Sequence, residues 1–385
     1  MVIDRIELNH YRNYEHLELE PHPGINLFFG QNGSGKTNLL EAIHYCALGK
    51  SHRLTQDAHA VMAGEKAGSA SISVRGKWTR NQIDIRLQPG EQAMKSVWID
   101  HKKVKKLSEM MGVLRLVIFS PEDLDLIKEG PAVRRRFMDM MISQISRSYF
   151  IALQQYRLAM EQRNAILRNS RLQMLPIDPM IVDFEAAMAE HASVIDRERR
   201  KYTEMISDNC REIYQEISGH PGELFQTSYY GFMRDAKDDY GKMLAESREE
   251  DLRQGLTGIG PHRDDLHLTL NRKSMKLFAS QGQMRTAALS LKMSQLRILT
   301  RVCGESPVLL LDDVMSELDL NRRMNLLREI GEAQTFITFS DEGDVDQAQP
   351  HRTYRVFSED GKAAVKEQKA GPESGAVPLR EPDFT

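Results

Sequence analysis

The sequence predicts an α/β protein in which a long helical segment interrupts a strand-rich core. Three observations lead to this prediction. Residues 25–29 form a short apolar run, which a glycine-rich loop separates from a helical pattern that begins at Asn38. Apolar residues then recur at helical spacing over residues 134–202. Apolar, strand-like runs return at residues 307–312 and 336–339. The core is therefore expected to be built from both ends of the chain.

The loop after the first of these runs carries the clearest chemical signal. Gly30 is followed, after four residues, by Gly35-Lys36-Thr37, which is the complete spacing of a P-loop. Glycine lets backbone N–H groups turn inward around phosphate oxygens, and the helix N-terminus adds a positive dipole end. We expect Lys36 to reach the β- and γ-phosphates of a nucleoside triphosphate and Thr37 to bind Mg²⁺. The predicted phosphate-binding residues are Gly30, Gln31, Asn32, Gly33, Ser34, Gly35, Lys36 and Thr37.

Length and composition limit the possible classes of protein. A chain of 385 residues is too long for one compact core, so two lobes are expected. The net charge is −3, so any nucleic-acid binding must depend on local basic patches. Cys46, Cys210 and Cys303 lack metal-ligand spacing and favour a reducing compartment. Because no apolar run approaches membrane-spanning length and no signal pattern opens the chain, we expect a cytoplasmic protein without a membrane partner.

Changes in apolar spacing and in composition along the chain indicate four segments. Residues 1–120 are expected to form the N-terminal part of an ATPase lobe, and residues 255–365 its C-terminal part. Residues 121–254 are expected to form a helical arm inserted between them. Residues 366–385, rich in proline, glycine and charge, are expected to be a disordered tail. The arm contains two long helical patterns around a proline-rich break at residues 175–179, which fit a coiled coil and an ordinary helical subdomain equally well.

The apolar run PVLLLDD ends in two carboxylates. It places Asp312 at the edge of the predicted sheet, where it can hold the Mg²⁺ shell. Asp313 follows directly, in a position to orient or deprotonate the attacking water. Two such acids could instead cap a helix, but their combination with a P-loop favours a Walker B motif. The predicted catalytic residues are Lys36, Asp312 and Asp313, and the predicted metal ligands are Thr37 and Asp312.

A third element, FASQGQ at residues 278–283, precedes a predicted helix. Ser280, Gly282 and Gln283 offer a hydroxyl, backbone N–H groups and a helix dipole to phosphate. Taken alone, the turn could simply cap the helix. Since the P-loop already surrounds its own phosphates, a second anion-binding turn makes sense if it serves the nucleotide of another subunit. The order P-loop, insertion, signature, Walker B and SELD (residues 316–319) is that of ABC ATPase heads, in which two heads enclose two ATP molecules.

Taken together, the motifs resemble the RecF family of bacterial recombination mediators, within the SMC-like ABC ATPases. The resemblance covers nearly the whole chain and is carried by LNHYRNY, GQNGSGKTNLLEAI, FSPEDLDLIKEGPAVRRRFMD, GIGPHRDDL, SQGQMRTAALSLK and LLLDDVMSELD. It implies an SMC-like ABC head with ATP and Mg²⁺ as cofactors, weak DNA-dependent ATPase activity and an ATP-dependent homodimer. It also implies binding to single-stranded and double-stranded DNA and to their junctions. RecO and RecR are the implied partners in loading RecA at gaps covered by SSB, with support of the SOS response.

Several positions depart from the wider ABC pattern. Asp313 replaces the usual glutamate after Walker B and is one methylene shorter, which favours slow turnover. Gln281 replaces the first glycine of the signature. The switch histidine is missing, and Thr338 and Ser340 lie in its region. No Q-loop glutamine is visible, because residues 120–123 occupy that place.

Two polar segments lie beside the predicted strands. The resemblance places YRNY near the adenine, with Arg12 as a candidate base or phosphate contact, although the segment could equally be an ordinary strand-end loop. Residues 262–265, HRDD, are predicted to form a polar turn before a strand. His262 is not predicted to bind a metal, because no partner ligand has suitable spacing.

Three basic clusters are candidates for DNA contacts, at residues 102–106, 134–136 and 197–201. Such a charge run is more often a solvated face, and the second cluster could instead pair with acids such as Glu122 or Asp123. Because no base-reading module is visible, we expect DNA binding that depends on shape and backbone contacts.

Two other classes of protein fit part of the pattern. A transporter ATPase subunit would share the three nucleotide motifs, but the long arm and the unusual SQGQ turn argue against it. A nucleotide-binding scaffold without hydrolysis would share the P-loop, but the intact Lys36, Thr37, Asp312 and Asp313 argue against complete loss of activity. A small GTPase is not favoured, since no Asn-Lys-x-Asp motif appears.

Overall fold

The computed structural model describes residues 1–368 except 52, 54–55, 90–93, 175, 234–238 and 341–350. The strands are β1 (Val2–Tyr11), β2 (Tyr14–Leu19), β3 (Ile25–Phe29), β4 (Gly68–Arg75), β5 (Arg80–Gln88), β6 (Met94–Ile99), β7 (Lys102–Lys103), β8 (Leu116–Phe119), β9 (Phe225–Tyr230), β10 (Asp265–Leu270), β11 (Lys273–Ser274), β12 (Val308–Asp312), β13 (Thr335–Phe339), β14 (Arg352–Glu359) and β15 (Lys362–Gln368). The helices are α1 (Lys36–Leu48), α2 (Asp125–Lys128), α3 (Pro131–Ile145), α4 (Arg147–Gln173), α5 (Ile181–Ser218), α6 (Tyr240–Gln254), α7 (Met275–Phe278), α8 (Gln281–Cys303) and α9 (Leu320–Ile330).

A central sheet draws strands from both ends of the chain. Its order is β15-β14-β3-β13-β12-β8, and β14, β3, β13, β12 and β8 run parallel to one another. Strands β12 and β13 are buried along their whole length, as expected of parallel strands covered on both faces. Because only β13 separates β3 from β12, the loops that follow these two strands leave the same edge of the sheet side by side. The predicted α/β fold class is confirmed.

Helix α1 lies between this sheet and a second, antiparallel one. The antiparallel sheet has the order β2-β1-β4-β5-β6-β7. Leu39, Leu40 and Ile43 of α1 share one core with the inward residues of β1, β4 and β5, and Leu310 of β12 faces the same core. Leu309, next to Leu310, faces the opposite side, where α5, α8 and α9 cover the central sheet. Alternate residues of a single strand thus hold two layers together.

The helical insertion differs from its prediction at one point. The prediction of one long helix before the proline-rich break is wrong, because this segment divides at Ser146 into α3 and α4. Ser146 has an extended backbone, and its side chain accepts a hydrogen bond from the Tyr149 N–H at 3.2 Å, which caps α4. Within the described part of the chain, no helix combines the length and the apolar character that crossing a membrane requires.

The arm packs as part of a larger lobe. Strand β9, from the predicted insertion, pairs antiparallel with β10, which lies beyond the predicted boundary at residue 254. Buried residues of α3, α4 and α5 form one core with both strands and with one face of α8. The helices therefore resemble a helical subdomain with its own small sheet, the second of the two alternatives that the sequence left open.

The C-terminal segment begins later than composition suggests. The predicted tail starts at Lys366, but that residue lies within β15, which pairs antiparallel with β14 up to Gln368. The prediction is therefore wrong for residues 366–368, which complete the edge of the central sheet. The remainder of the predicted tail lies outside the described residues.

One buried guanidinium joins the elements of the arm. Arg199 of α5 donates hydrogen bonds to Asp139 of α3 at 2.8 Å and to Tyr149 of α4 at 3.0 Å. It also donates to the carboxylate of Asp264 and to the carbonyl of Pro261, both at 2.7 Å, in the loop before β10. With 2% of its side chain exposed, Arg199 is a desolvated charge that these partners neutralise.

We predict that Arg199→Met destabilises the protein by about 3–5 kcal/mol, because it leaves Asp139 and Asp264 buried without their cation. The measurement is the urea midpoint of unfolding, followed by circular dichroism. Arg197→Met is the matched control on the same helix, since its side chain is 68% exposed. We expect its effect to stay within about 0.5 kcal/mol. Equal midpoints for the two variants would contradict the role assigned to Arg199.

Candidate functional site

The P-loop joins β3 to α1 in a tight turn. Gly30 has φ 153°, and a Cβ atom there would lie 2.0 Å from the carbonyl oxygen of Val356 in β14, so only glycine fits. The Lys36 ammonium donates hydrogen bonds to the carbonyls of Gly30 at 2.6 Å and Gln31 at 3.0 Å. Burial lowers the pKa of Lys36, while the nearby carboxylates of Asp313 and Asp312 raise it. The amine therefore points into the loop, as a phosphate-binding lysine requires.

The loop has polar groups that a triphosphate would satisfy. The Ser34 hydroxyl is buried and has no hydrogen-bond partner among the described residues. Gly35, at the N-cap of α1, provides no side-chain cap, and no acidic side chain occupies the first turn of the helix. The N–H groups that begin α1 are therefore available to an anion. The residues present fit a nucleoside triphosphate.

The predicted magnesium ligands lie in contact. The Thr37 hydroxyl donates a hydrogen bond to Asp312 Oδ1 at 3.0 Å, across 275 residues of sequence. Thr338 of β13 donates to the same oxygen at 2.9 Å. Burial raises the pKa of Asp312, and the hydrogen bonds from Thr338 and Thr37 oppose that rise.

Few protein ligands surround this position. Within the described residues, no group of three or more His, Cys, Asp or Glu side chains could hold a metal ion. Mg²⁺ is commonly held by one or two protein oxygens together with phosphates and water. A hydroxyl beside a carboxylate at the mouth of a phosphate loop fits that pattern.

Asp313 is held in an unusual backbone conformation. Its φ is 56°, in the left-handed region, and its N–H donates a hydrogen bond to the Thr338 hydroxyl at 2.9 Å. Its carboxylate lies 3.3 Å from the Ser340 hydroxyl, which is also 3.0 Å from Asn32 Oδ1 in the P-loop. The exposed Ser340 thus bridges the two motifs, in the region where the sequence lacks the switch histidine, while Thr338 is buried beside Asp312. Such strain is common where a side chain must be aimed precisely at a ligand.

The predicted signature turn is both a helix cap and an exposed surface. The Ser280 N–H donates to Gln283 Oε1 at 2.8 Å, and the Gln283 N–H donates to Ser280 Oγ at 3.3 Å, forming a capping box at the start of α8. The side chain of Gln283 is further held by Glu223 at 2.7 Å. Ser280 and Gln281 are exposed, and no hydrogen bond among the described residues joins this turn to the P-loop. The structure therefore keeps the capped-helix interpretation and leaves the turn accessible.

Arg322, which the sequence analysis did not single out, links the signature helix α8 to the SELD segment (residues 316–319), the predicted D-loop. Its guanidinium contacts the Thr286 hydroxyl at 2.9 Å and lies 3.4 Å from the carbonyl of Gly282, both in the first turns of α8. It also forms an ion pair with Asp319, the N-cap of α9. A change in the position of either motif would therefore be transmitted to the other.

The Arg12 side chain forms an ion pair with a buried carboxylate. Its guanidinium donates to both oxygens of Glu41 in α1, at 2.8 and 3.2 Å, and Glu41 is fully buried. A contact between Arg12 and a nucleotide would have to compete with this bidentate pair. The role suggested for Arg12 by resemblance therefore stays a prediction.

The two residues after Arg12 contact the phosphate loop directly. The Tyr14 hydroxyl donates to the carbonyl of Gly35 at 3.0 Å, and the Asn13 amide lies 3.4 Å from the carbonyl of Ser34. Asn13 also accepts a hydrogen bond from Asn38 in α1 at 2.8 Å. Sequence analysis missed both residues, although the proximity of the YRNY motif to the nucleotide was a usable signal.

The three basic clusters differ in how many of their cationic side chains are exposed. The lysines at residues 102–106 are exposed. Arg134 is instead buried in a bidentate pair with Asp265, at 2.7 and 2.9 Å, so the suggested pairing with Glu122 or Asp123 is wrong. Arg199 is buried as described above, and Arg200 pairs with Asp196 at 2.7 Å. Much of the second and third clusters therefore serves the folding of the arm.

The side chain of His262 is held by contacts with neighbouring polar groups of the protein. Its ring lies 2.8 Å from the Tyr156 hydroxyl and 3.0 Å from the carbonyl of Thr257. Burial lowers the pKa of His262 to about 4, so the ring is neutral near pH 7. The acids that follow, Asp264 and Asp265, hold Arg199 and Arg134, so the HRDD turn joins the arm to β10.

The sheet order, the phosphate loop and the adjacent carboxylates define the nucleotide-binding head of an SMC-like ABC ATPase. The family model described as the RecF/RecN/SMC N terminal domain matches residues 2–364. The head domain of an SMC protein bound to the C-terminal winged-helix domain of ScpA has a TM-score of 0.57 at 17% identity, which is a likeness of fold alone.

Relatives with higher sequence identity indicate the family within this class. The DNA replication and repair protein RecF of Clostridium novyi (strain NT) is 38% identical over 343 residues, covering 88% of this chain and 92% of the relative. The protein of the same name from Clostridium botulinum (strain Eklund 17B / Type B) is 40% identical over 349 residues, covering 90% and 95%. A solved structure of the recombination mediator protein RecF with ATP has a TM-score of 0.87 at 32% identity and covers 96% of this chain and 98% of that one. The chain belongs to the RecF family.

We predict that Thr338→Val moves the acid limb of Mg²⁺-dependent nucleotide binding to higher pH. Asp312 must be ionised to hold Mg²⁺, so binding is lost as the pH falls through its pKa. The variant loses one of the two hydrogen bonds that oppose the rise of that pKa, so protonation occurs at higher pH. The measurement is the affinity for a fluorescent ATP analogue with Mg²⁺, from about pH 4 to pH 8.

Thr335→Val is the matched control for this prediction. Thr335 is buried on the same strand, but its hydroxyl donates to the carbonyl of Ala333, away from Asp312. Its acid limb should coincide with that of the unaltered protein. Identical limbs for the two variants would show that Thr338 does not control the ionisation of Asp312.

Proposed function

We propose that this protein is an ATP-dependent DNA-binding protein of replication and recombinational repair, which dimerises on DNA when it binds ATP. The observation that carries the proposal is the contact of Thr37 with Asp312, beside Lys36 and Asp313, at one edge of the central sheet. A complete set of P-loop and Walker B side chains in this geometry supports hydrolysis as well as binding.

Each side chain has a defined part in the proposed reaction. ATP is the substrate, whose bond between the β- and γ-phosphates water breaks with ADP as the leaving group, and Mg²⁺, when bound, would neutralise charge on the phosphates. Lys36 would exchange its two carbonyl partners for phosphate oxygens, and Thr37 and Asp312 would hold the metal. Asp313 orients the attacking water and accepts its proton. Because an aspartate reaches less far than the usual glutamate, hydrolysis is slow, and the weak, DNA-dependent ATPase acts as a timer for the dimer.

The signature turn is the part of the site that the proposed dimer would complete. Ser280 and Gly282 offer an anion-binding helix N-terminus that makes no hydrogen bond to the P-loop among the described residues of the same chain. Beside the turn, Leu277 and Phe278 are 73% and 68% exposed, an apolar surface that a second copy would cover. We therefore place the signature of one protomer over the nucleotide of the other, with Arg322 linking it to the D-loop.

The relatives support the proposed cellular role. RecF proteins are named for DNA replication and repair, and solved RecF structures with ATP and an ATP analogue are described as part of the RecFOR pathway. We propose that this protein works in the cytoplasm with RecO and RecR to load RecA at gaps covered by SSB. By promoting RecA loading, it supports the SOS response. Single strands, duplexes and their junctions are the proposed DNA partners.

We predict a change from monomer to dimer on addition of ATP and Mg²⁺, increased by DNA and absent with ADP. The measurement is molar mass in solution by light scattering. Lys36→Ala should abolish both nucleotide binding and dimerisation, because it removes the cation that meets the phosphates. Lys77→Ala, at an exposed position far from the P-loop in sequence, is the control and should dimerise normally. A mass unaffected by ATP in the unaltered protein would favour the scaffold alternative.

We predict that Ser280→Arg binds ATP as tightly as the unaltered protein but stays monomeric, because the larger side chain fills the surface that meets the other subunit's nucleotide. Loss of the helix cap should cost about 1 kcal/mol of stability, which leaves the fold intact. The measurements are nucleotide affinity and molar mass on the same sample. Ser193→Arg, on the exposed side of α5, is the control. Normal dimerisation of Ser280→Arg would refute the action of the signature in trans.

A further inference from the structure

A cleft separates the end of α1 from the helical arm. Its free volume is about 580 Å³, and its walls come from α1 and the residues after it on one side and from α3 and α4 on the other. Leu48, Phe150 and Leu153 contribute apolar surface, while Lys50, Arg135 and Arg136 contribute cations. The cleft is distinct from the P-loop, none of whose residues lines it.

The cations of this cleft exceed its anions. Lys50 and Arg136 are exposed and form no ion pair among the described residues. Arg135 is half-buried and donates a hydrogen bond to the carbonyl oxygen of Asp264 at 2.6 Å, and no carboxylate lies within ion-pair distance of it in the described structure. Asp139, which also lines the cleft, already accepts from Arg199 and from the Tyr149 hydroxyl. Charge complementarity therefore calls for an anionic ligand.

Arg157 and Glu161 complete the charged lining. Arg157 pairs with Asp139 at 3.3 Å yet keeps 60% of its side chain exposed, so it can reach a ligand as well. Glu161 is the one carboxylate of the lining without a cation partner in the described part of the chain. Three cations without a carboxylate partner, Lys50, Arg135 and Arg136, thus oppose a single unpaired carboxylate.

We propose that this cleft binds a segment of single-stranded DNA. Its volume lies within the range of about 300–1,000 Å³ that is typical of small-ligand pockets, which is room for one or two unpaired nucleotides and too little to enclose a duplex. Guanidinium and ammonium groups meet the phosphates, and Phe150 offers an aromatic surface on which a base can stack. The inference rests on the proposed DNA-binding function and gives it a place and a preferred strand state.

The position of the cleft connects DNA to the nucleotide site. Ser51, next to Lys50, donates a hydrogen bond to Glu41, the buried partner of Arg12 beside the P-loop. The Arg53 N–H in turn donates to the Ser51 hydroxyl at 3.0 Å. A strand that engages Lys50 would therefore act on a segment that is hydrogen-bonded to the buried carboxylate of α1.

The test uses the full-length protein with ATP and Mg²⁺ and a fluorescent 20-nucleotide oligo(dT), with binding followed by anisotropy. Lys50→Gln combined with Arg136→Gln should weaken binding about tenfold at about 150 mM salt and lower the salt slope by about 1.4, the effect of two lost phosphate contacts on a single strand. Lys102→Gln combined with Lys103→Gln, an equal loss of charge on exposed residues of β7, should change affinity less than twofold. Both double variants should retain the nucleotide affinity of the unaltered protein.

Four outcomes would overturn the proposal. The cleft variant could bind oligo(dT) normally while the β7 variant loses affinity, which would move the DNA to the lysine surface and leave the proposed function intact. The cleft variant could lose a 20-base-pair duplex as strongly as oligo(dT), which would refute the single-strand preference. Polyglutamate could displace oligo(dT) at the same charge concentration, which would assign the cleft to an acidic peptide. Failure of the unaltered protein to bind any DNA would remove the proposed function as well.

Discussion

The parallel pairing of β3, β13 and β12 is the constraint on which the nucleotide site depends. It pairs Asp312 with Thr338 and, on the other side of β13, Phe339 with Phe29, so the P-loop and the Walker B acids leave the sheet together. A slip of one residue would exchange Leu309 and Leu310 between two separate cores, and it would move Asp312 away from Thr37. The apolar pattern of β12 therefore sets the position of a carboxylate as well as the stability of the sheet.

A second constraint operates in the arm, where charge is buried in place of apolar surface. Arg199 and Arg134 tie three helices to the turn that holds Asp264 and Asp265, and each would be costly to desolvate without those partners. Such pairs define one arrangement of the helices, because a shifted packing would leave an unpaired charge inside. In the sequence, the same residues belong to basic clusters that were candidates for DNA contacts. Because composition does not show burial, only the structure indicates which of these cations can reach a phosphate.

The parts of the proposed ATPase differ in how they are supported. Asp312 and Thr37 are fixed by buried strands and by a helix enclosed between two sheets. Ser280 and Ser340 lie on the surface, where a second protomer or a nucleotide can change their contacts. Arg322 joins the signature helix to the D-loop through Thr286 and Asp319. A rigid site for the nucleotide beside an adjustable surface is the arrangement that an ATP-controlled dimer requires.

The sequence by itself determined the fold class, the P-loop and the Walker B motif, since each depends on residues close together in the chain. A glycine spacing, an apolar strand and a helix N-terminus can all be recognised within about a dozen residues. The tertiary structure decided what depends on distant partners: the burial of Arg199, the pairing of Arg12 with Glu41, and the contacts of Ser340. Those partners lie 27 to 308 residues away. No local pattern records which side chain meets a given charge, because the chain must first fold to bring them together.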